Sequence, residues 1–543
     1  MAREGDTPAW RRFVFGAEDL PDPDSPLDHV PGDERKGLVS ISAVLLGFVL
    51  FAGTIWAGAE VGAAMGFGPM LTAMAAGYVI LGVYVATLCG IAAKAGLTTV
   101  LLARYSFGRY GAKFADLVLG GTQVGWFGVT IPLVAIPTAT FFGLDTPTFT
   151  AALILIWGLF HLATAYFGYE GMERLSLVAV PILVIVGLLS IFIAVGDVGG
   201  VAGLFDAGSG GMGFAAAVTI VVGTFISGGT QAPNWARFAS STRVGFWAGL
   251  IAFLVGNGFL FLSGAVGGTV YDVTPAGDLY QVLAAQGLAA VGLIALILNI
   301  WTTNDNAAYA FGVAGSEAFE FDRKRPFILA GGTIGIVLAL VGADSLLIPW
   351  LETLAQYVPP LGGVIIADFL LCWRLRVPKM ADVRFAGVRW TGVLAYVVGA
   401  AVAVLTAGQV VPGVAAPQVV PGVAGAALNG LVAAVVAHVA AYYLLESTGV
   451  LPATRSPPTP NGCERSPVSH SPVEFRVERS SPRLGVVPPA PHRLVVRRVA
   501  LVVVFDPEER RPLAVLDAGL AFPPVHTVGY RRVKCFDTPG CGK

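Results

Sequence analysis

The chain has 543 residues, of which 55% are hydrophobic and 13% charged, and its net charge is −1. Soluble domains carry about 25% charged residues. These proportions therefore exclude an ordinary soluble protein, offer no basic surface for nucleic acid, and point to a polytopic protein of the inner (plasma) membrane.

Residues 1–36 are acidic, contain several prolines and hold no apolar run, so they read as a mobile cytosolic tail with no cleavable signal peptide. Hydrophobic stretches follow at 37–64, 69–93, 115–142, 148–168, 174–196, 213–232, 244–269, 282–306, 327–343, 345–373, 388–408 and 423–445. Each is of the length that crosses a bilayer, about 20 residues. The expectation is twelve transmembrane helices over 37–445, with a short interfacial helix at 95–114 between spans two and three. Lys and Arg, such as Arg104, Arg109, Lys113 and Arg323 to Arg325, fall in or at the edges of alternate loops. The other loops carry Asp145, Asp197, Asp206, Asp272, Asp278 and Asp344 and no Lys or Arg. That alternation supports an even number of spans and, by the positive-inside rule, puts both termini in the cytoplasm.

Two spans read as broken. Span one carries Phe51-Ala52-Gly53-Thr54 at mid-depth, and span six carries Ser227-Gly228-Gly229-Thr230. Breaks at matching places five spans apart fit a 5+5 inverted repeat with two extra helices and a midplane site. Close helix packing through small residues is the alternative. Pro359-Pro360-Leu361-Gly362-Gly363 in span ten reads as a break or hinge. Residues 446–543 are expected to be a largely disordered, Pro- and Arg-rich cytosolic tail. A frame artefact of a GC-rich gene is the other reading of that region.

Chemistry concentrates in two stretches. In Asn299-Ile300-Trp301-Thr302-Thr303-Asn304-Asp305-Asn306, residues Asn299, Thr302 and Thr303 share one helix face and offer oxygens to a small cation, while Asn304 lies one step round. Interhelical hydrogen bonding is the plainer reading. In span three, Gln123 and Trp126 share a face among glycines that clear space around them. An indole beside an amide suits a flat, neutral, hydrogen-bonding ligand. Phe225, just before the span-six break, offers a second stacking face, or else fills the core. Cys89, Cys372, Cys463, Cys535 and Cys541 form no CxxC pair or Cys/His cluster, so neither a disulfide framework nor a zinc site is expected.

Leu119 to Gly128, Asn299 to Asn306, Pro359 to Asp368 and Leu101-Leu102-Ala103-Arg104-Tyr105-Ser106-Phe107-Gly108 resemble the purine–cytosine permease branch of the nucleobase:cation symporter-1 family, over about 35–445. The resemblance implies a twelve-span LeuT-type fold and symport of cytosine or a related base with sodium, and a monomer whose one other partner is the lipid bilayer is expected. Carried over by motif, Gln123, Trp126, Phe225, Ser227 and Asn304 would line the base site. The carbonyls of Phe48, Phe51 and Asn299 with the hydroxyls of Thr302 and Thr303 would hold the sodium. No cofactor is implied beyond that ion. The chain departs from the family at Asn234-Trp235, where an aspartate precedes the aromatic, and at Glu60 and Glu352, each either a rim charge or a proton-coupling group. Another flat ring (a purine, hydroxymethylpyrimidine or hydantoin) and proton coupling are the alternatives within transport. A receptor or channel is disfavoured by the paired breaks, and an enzyme by the lack of any His/Asp/Glu constellation, HExxH or phosphate loop in the spans.

Overall fold

The computed structural model describes residues 27–448, apart from 208–210, 272–278, 376, 412–413, 422–424 and 447. Contacts divide the chain into Met1–Gly462 and Cys463–Lys543. The architecture below is that of the first unit. Most of the expected N-terminal tail, and the C-terminal tail beyond Thr448, lie outside the described residues.

The unit is built of helices. Span one is α1 (Leu38–Val49) and α2 (Ala52–Ala64), and span two is α3 (Phe67–Ala95). Then come α4 (Thr99–Thr130), α5 (Pro132–Phe142), α6 (Pro147–Phe167) and α7 (Tyr169–Asp197). Span six is α8 (Phe214–Gly223) and α9 (Ile226–Gln231), and span seven runs through α10 (Thr242–Leu250), a π-helical turn and α11 (Asn257–Val270). The remainder are α12 (Ala289–Ala318), α13 (Arg325–Leu340), α14 (Leu347–Ala367), α15 (Trp390–Ala407) and α16 (Gly425–Ala441). A two-strand hairpin, Gln409–Val411 with Val414–Ala415, joins the last two. Among the described residues, 8 helices are long and apolar enough to cross a membrane, and 10 when each bent pair counts as one span. The other two expected spans are the polar-centred α12 and the 16-residue α13.

The two breaks are real, but they do not both lie where the glycines are. Span one bends by 58° at Leu50 and Phe51. Span six bends by 44° at Thr224 and Phe225, before the glycine pair. Gly228 and Gly229 serve packing instead. A Cβ on Gly228 would come 2.7 Å from the Phe225 ring and 2.8 Å from Phe48. The small-residue reading also holds between α2 and α11, where Gly58, Gly62, Gly264 and Gly268 bring the two backbones together so that a Cβ would strike the partner chain. At Pro359-Pro360 the expected break is absent: α14 continues through both prolines and ends in a π-helical turn, Asp368–Cys372. The prolines are buried, and Pro360 lies against the glycine seam of α15 and α16 at Gly399 and Gly430.

The expected interfacial helix is the first part of α4, joined to span three through a kink at Gly108 (φ 80°, ψ 175°). Thr98 caps it by accepting from the Leu101 amide. Beyond the kink, the amides of Arg109 and Tyr110 donate to the carbonyls of Ala386 and Gly387, and the Arg389 amide donates to Phe107. These three bonds clamp the kink to the loop before α15. On the N-terminal side, the last residues of the expected tail are docked. The Lys36 amide donates to Phe238, and the Arg35 guanidinium donates to the Ala93 and Ala239 carbonyls.

Candidate functional site

A small cavity lies where the two breaks face α4 and α12. Span one contributes Phe48 and Phe51, α4 contributes Gln123 and Trp126, span six contributes Thr224, Phe225 and Gly228, and α12 contributes Thr303 and Ala307. Four aromatic rings and one amide line it, a lining whose chemistry suits a flat, hydrogen-bonding ring. Its aromatic walls meet edge to face: Phe51 lies 5.4 Å from Trp126 and 6.0 Å from Phe225, and Phe48 lies 4.9 Å from Phe225. Phe48 also packs on Trp235 at 4.6 Å, and Trp235 on Tyr309 at 6.1 Å, closing the side towards Arg237.

Of the residues expected at the base site, Gln123, Trp126 and Phe225 line the cavity. Ser227 stands just behind: its hydroxyl accepts from Gln123 Nε2 at 3.1 Å and shares a 3.1 Å bond with Thr122. Asn304 is not among the lining residues. Its Oδ1 accepts from Thr130 Oγ1 at 2.5 Å, and its Nδ2 donates to His161 Nδ1 at 3.1 Å. Thr130 also donates to the Trp126 carbonyl at 2.8 Å, so this network braces the indole-bearing turn. His161 is fully buried and stacks on Trp157. Sequence reasoning missed Thr130 and His161. The available signal was a histidine inside an apolar span. Two of the glycines of span three clear space for helices: Gly120 meets Ala314, and Gly128 meets Gly335 and Leu338, while Gly125 meets the Trp350 ring and Gly121 faces open space.

The residues expected to hold sodium are largely gathered. Thr303 Oγ1 is 3.3 Å from the Phe48 carbonyl and 3.1 Å from that of Asn299, and Thr302 Oγ1 is 3.0 Å from the Asn299 carbonyl. The Phe51 carbonyl instead accepts from the Thr54 and Ile55 amides and starts α2. The Asn299 side chain is buried, and neither of its polar atoms has a partner among the described residues. Hard oxygens converging beside an orphaned amide fit a small hard cation. Asp305, the one acid of this stretch, is buried and bonded to Asn306 Nδ2 at 3.0 Å. Glu352 is exposed and accepts from Gln409, and the half-buried Glu60 accepts from the Trp56 indole.

A separate network ties the extra helices to the rest. Arg389 reaches Asp368 at 2.8 Å and forms a fork with Glu446 at 2.7 and 3.0 Å. Asp368 also accepts from Trp373, Ser106 and His438, and Glu446 accepts from Thr391. Asp368, Cys372 and His438 come close enough to share an ion. With Arg389 already on the carboxylate, the cluster is built as a charge network rather than a cation site.

Two helices broken opposite one another, an enclosed aromatic cavity at the breaks and an oxygen cluster beside it define a secondary transporter with discontinuous helices. The particular family follows from comparison: residues 29–432 match the family described as permease for cytosine/purines, uracil, thiamine, allantoin, and the chain belongs to it. It is 38% identical over 373 residues to the cytosine permease of Escherichia coli strain K12, covering 68% of this chain and 87% of that one. To the hydantoin permease of Microbacterium maritypicum it is 23% identical over 421 residues, covering 69% and 82%. Among solved structures, Mhp1, a nucleobase-cation-symport-1 family transporter, closed with bromovinylhydantoin bound, superposes with a TM-score of 0.65 at 18% identity, covering 79% of this chain and 96% of that one. The fold is thus the LeuT-type fold of that transporter, and the protein is a polytopic membrane permease, not an enzyme.

Proposed function

We propose that this permease imports cytosine, or a close pyrimidine, together with sodium, in the cell inner membrane with both termini cytoplasmic. One observation carries the reading: Thr303 lines the cavity and at the same time bridges the Phe48 and Asn299 carbonyls. A base between Trp126 and Phe225 and an ion among those oxygens would share that wall. The ion would join α12 to the broken first span and so favour the conformation that takes the base. Such coupling needs differential affinity for two conformations, and the base must then tighten the ion by the same factor.

Cytosine binding to purified protein, with sodium titrated at fixed pH, tests this. Wild-type affinity is expected to rise with sodium, and Thr302→Ala/Thr303→Ala to respond much less. Affinity that ignores sodium and follows pH would overturn sodium coupling and move attention to Asp305. Stronger competition by hydantoin than by cytosine would overturn the substrate and leave the cavity assignment standing; the likeness to a hydantoin permease makes it the comparison to run.

A further inference from the structure

Two more acids lie on the seam that carries the cavity. Asp116 precedes Gln123 by seven residues on α4, which puts it on the same face about 10 Å along the axis. Glu317 lies on α12 ten residues beyond Ala307. Between the two levels Gly120 faces Ala314, and a Cβ on Gly120 would come 2.8 Å from the Ala314 Cβ. Along both helices this contact lies between the cavity residues and the acids.

Asp116 is 1% exposed and Glu317 0%. Arg104 Nε donates to Glu317 Oε1. Glu317 Oε2 and both oxygens of Asp116 have no hydrogen-bond partner among the described residues. The charged groups that act on Asp116 are Glu317, Arg104 and Lys113. Arg104 is paired with Glu317, while Lys113 lies 3.3 Å from Glu320, which Arg109 also holds at 2.7 Å. Asp116 is therefore the one of these three carboxylates that no cation or donor touches, and it is buried as deeply as Glu317. An isolated buried carboxylate without donors is so costly that it takes up a neutralising ligand instead.

We propose that Asp116 is a proton-binding site on the cytosolic side of the base cavity. It holds a proton while the Gly120–Ala314 seam is closed and gives it to water when that end opens. The proton comes from the cytosolic side and returns there, so it adds no charge to the transport cycle. The side assignment rests on the orientation proposed above; the binding of the proton does not. Glu320 is no rival carrier: Arg109 and Lys113 hold its carboxyl down at about 2, so it stays ionised throughout the neutral range.

Infrared spectroscopy of the purified, sodium-free protein reads the carbonyl stretch of a protonated carboxyl without substrate or orientation. Wild type is expected to show such a band at neutral pH that titrates away on alkalinisation. Asp116→Asn should lose that component, while Glu320→Gln should keep it. Other buried acids cancel in the difference between proteins. Glu317→Gln frees Arg104 to pair with Asp116, so the band should vanish at lower pH than in wild type. This second variant keeps the test open should Asp116→Asn fail to fold. A band unchanged in Asp116→Asn overturns the proposal. A band removed by sodium at fixed pH also overturns it, making the site a metal-cation site. Uptake of radiolabelled cytosine into oriented vesicles then tests the side: wild type should depend on pH at the cytosolic face, and Asp116→Asn should not. Dependence on the opposite face overturns the side assignment. Absence of cytosine binding in both proteins would count against the substrate and leave the infrared result intact.

Discussion

Gln123 is the single polar side chain on α4 that reaches the cavity, and Ser227 fixes its amide nitrogen, which orients its oxygen. A site built on such a contact rejects ligands that strand it, because a buried amide left unpaired costs about 1–3 kcal/mol. Gln123→Ala is expected to weaken cytosine binding at least tenfold in a protein that still elutes as a folded species; unchanged affinity by calorimetry would remove Gln123 from the site. Trp126→Ala should cost a further ~1–3 kcal/mol of stacking. His161→Ala leaves Asn304 Nδ2 without its acceptor. It is expected to lower thermal stability in detergent by the equivalent of about 1–3 kcal/mol, whereas a purely apolar role for His161 would allow replacement by Phe at little cost. At this scale the sequence was most legible where a motif carried meaning: Gln123, Trp126, Phe225 and Thr303 meet in one cavity. Asn304 illustrates the limit. Its place on α12 is readable to within a step of the helix, but whether the side chain turns to the cavity or to Thr130 depends on partners from two other helices.

Glycines mark elements here by what they let approach. Gly108 needs its backbone as well: at φ 80° and ψ 175° it occupies a region essentially closed to other residues, which would cost a residue with a side chain about 1–3 kcal/mol. A Cβ there would also lie 2.7 Å from the Ala386 carbonyl and 2.9 Å from the Arg389 amide. Gly108→Ala is therefore expected to loosen the clamp and lower the unfolding temperature, while Gly121→Ala, in the regular helix with open space around its Cβ, serves as the milder control; equal effects would show that the kink is not what matters. The glycine pair Gly228-Gly229 was legible as special but not as to purpose, because a glycine needed for a break and one needed for ring packing look alike in sequence. Phe225, immediately before α9, carries the bend instead (φ −141°, ψ 16°). Pro359-Pro360 make no break for a related reason: proline removes donors wherever it sits, but buried prolines packed on a glycine seam can remain in a continuous helix.

Across the whole molecule, the order of apolar stretches carried over to the order of helices, because a segment in lipid must satisfy its own backbone; among the described residues 8 helices, or 10 with each bent pair as one span, are long and apolar enough to cross a membrane. The charge network of Arg389 was not legible, since its members lie far apart in the chain. Truncation at Ser456, beyond the last described residue, is expected to leave uptake per folded molecule unchanged; a large loss would give the tail a structural or regulatory role. Arg389→Leu, in contrast, strands Asp368 and Glu446 and is expected to destabilise the protein by about 3–5 kcal/mol, read as a fall in the yield of monodisperse protein. The same network has a consequence for how the chain is made. Arg389 and Asp368 leave the ribosome well before Glu446, their last partner, so the nascent chain carries incompletely neutralised charges at the bilayer until α16 has been synthesised. A chain ended at Ala440 would stay in that unfinished state and be open to membrane proteases, while one ended at Ser456 would not. Pulse-chase lifetimes of the two truncations should differ sharply. In this way a salt bridge that stabilises the finished protein also reports, during biogenesis, that the final helix has arrived.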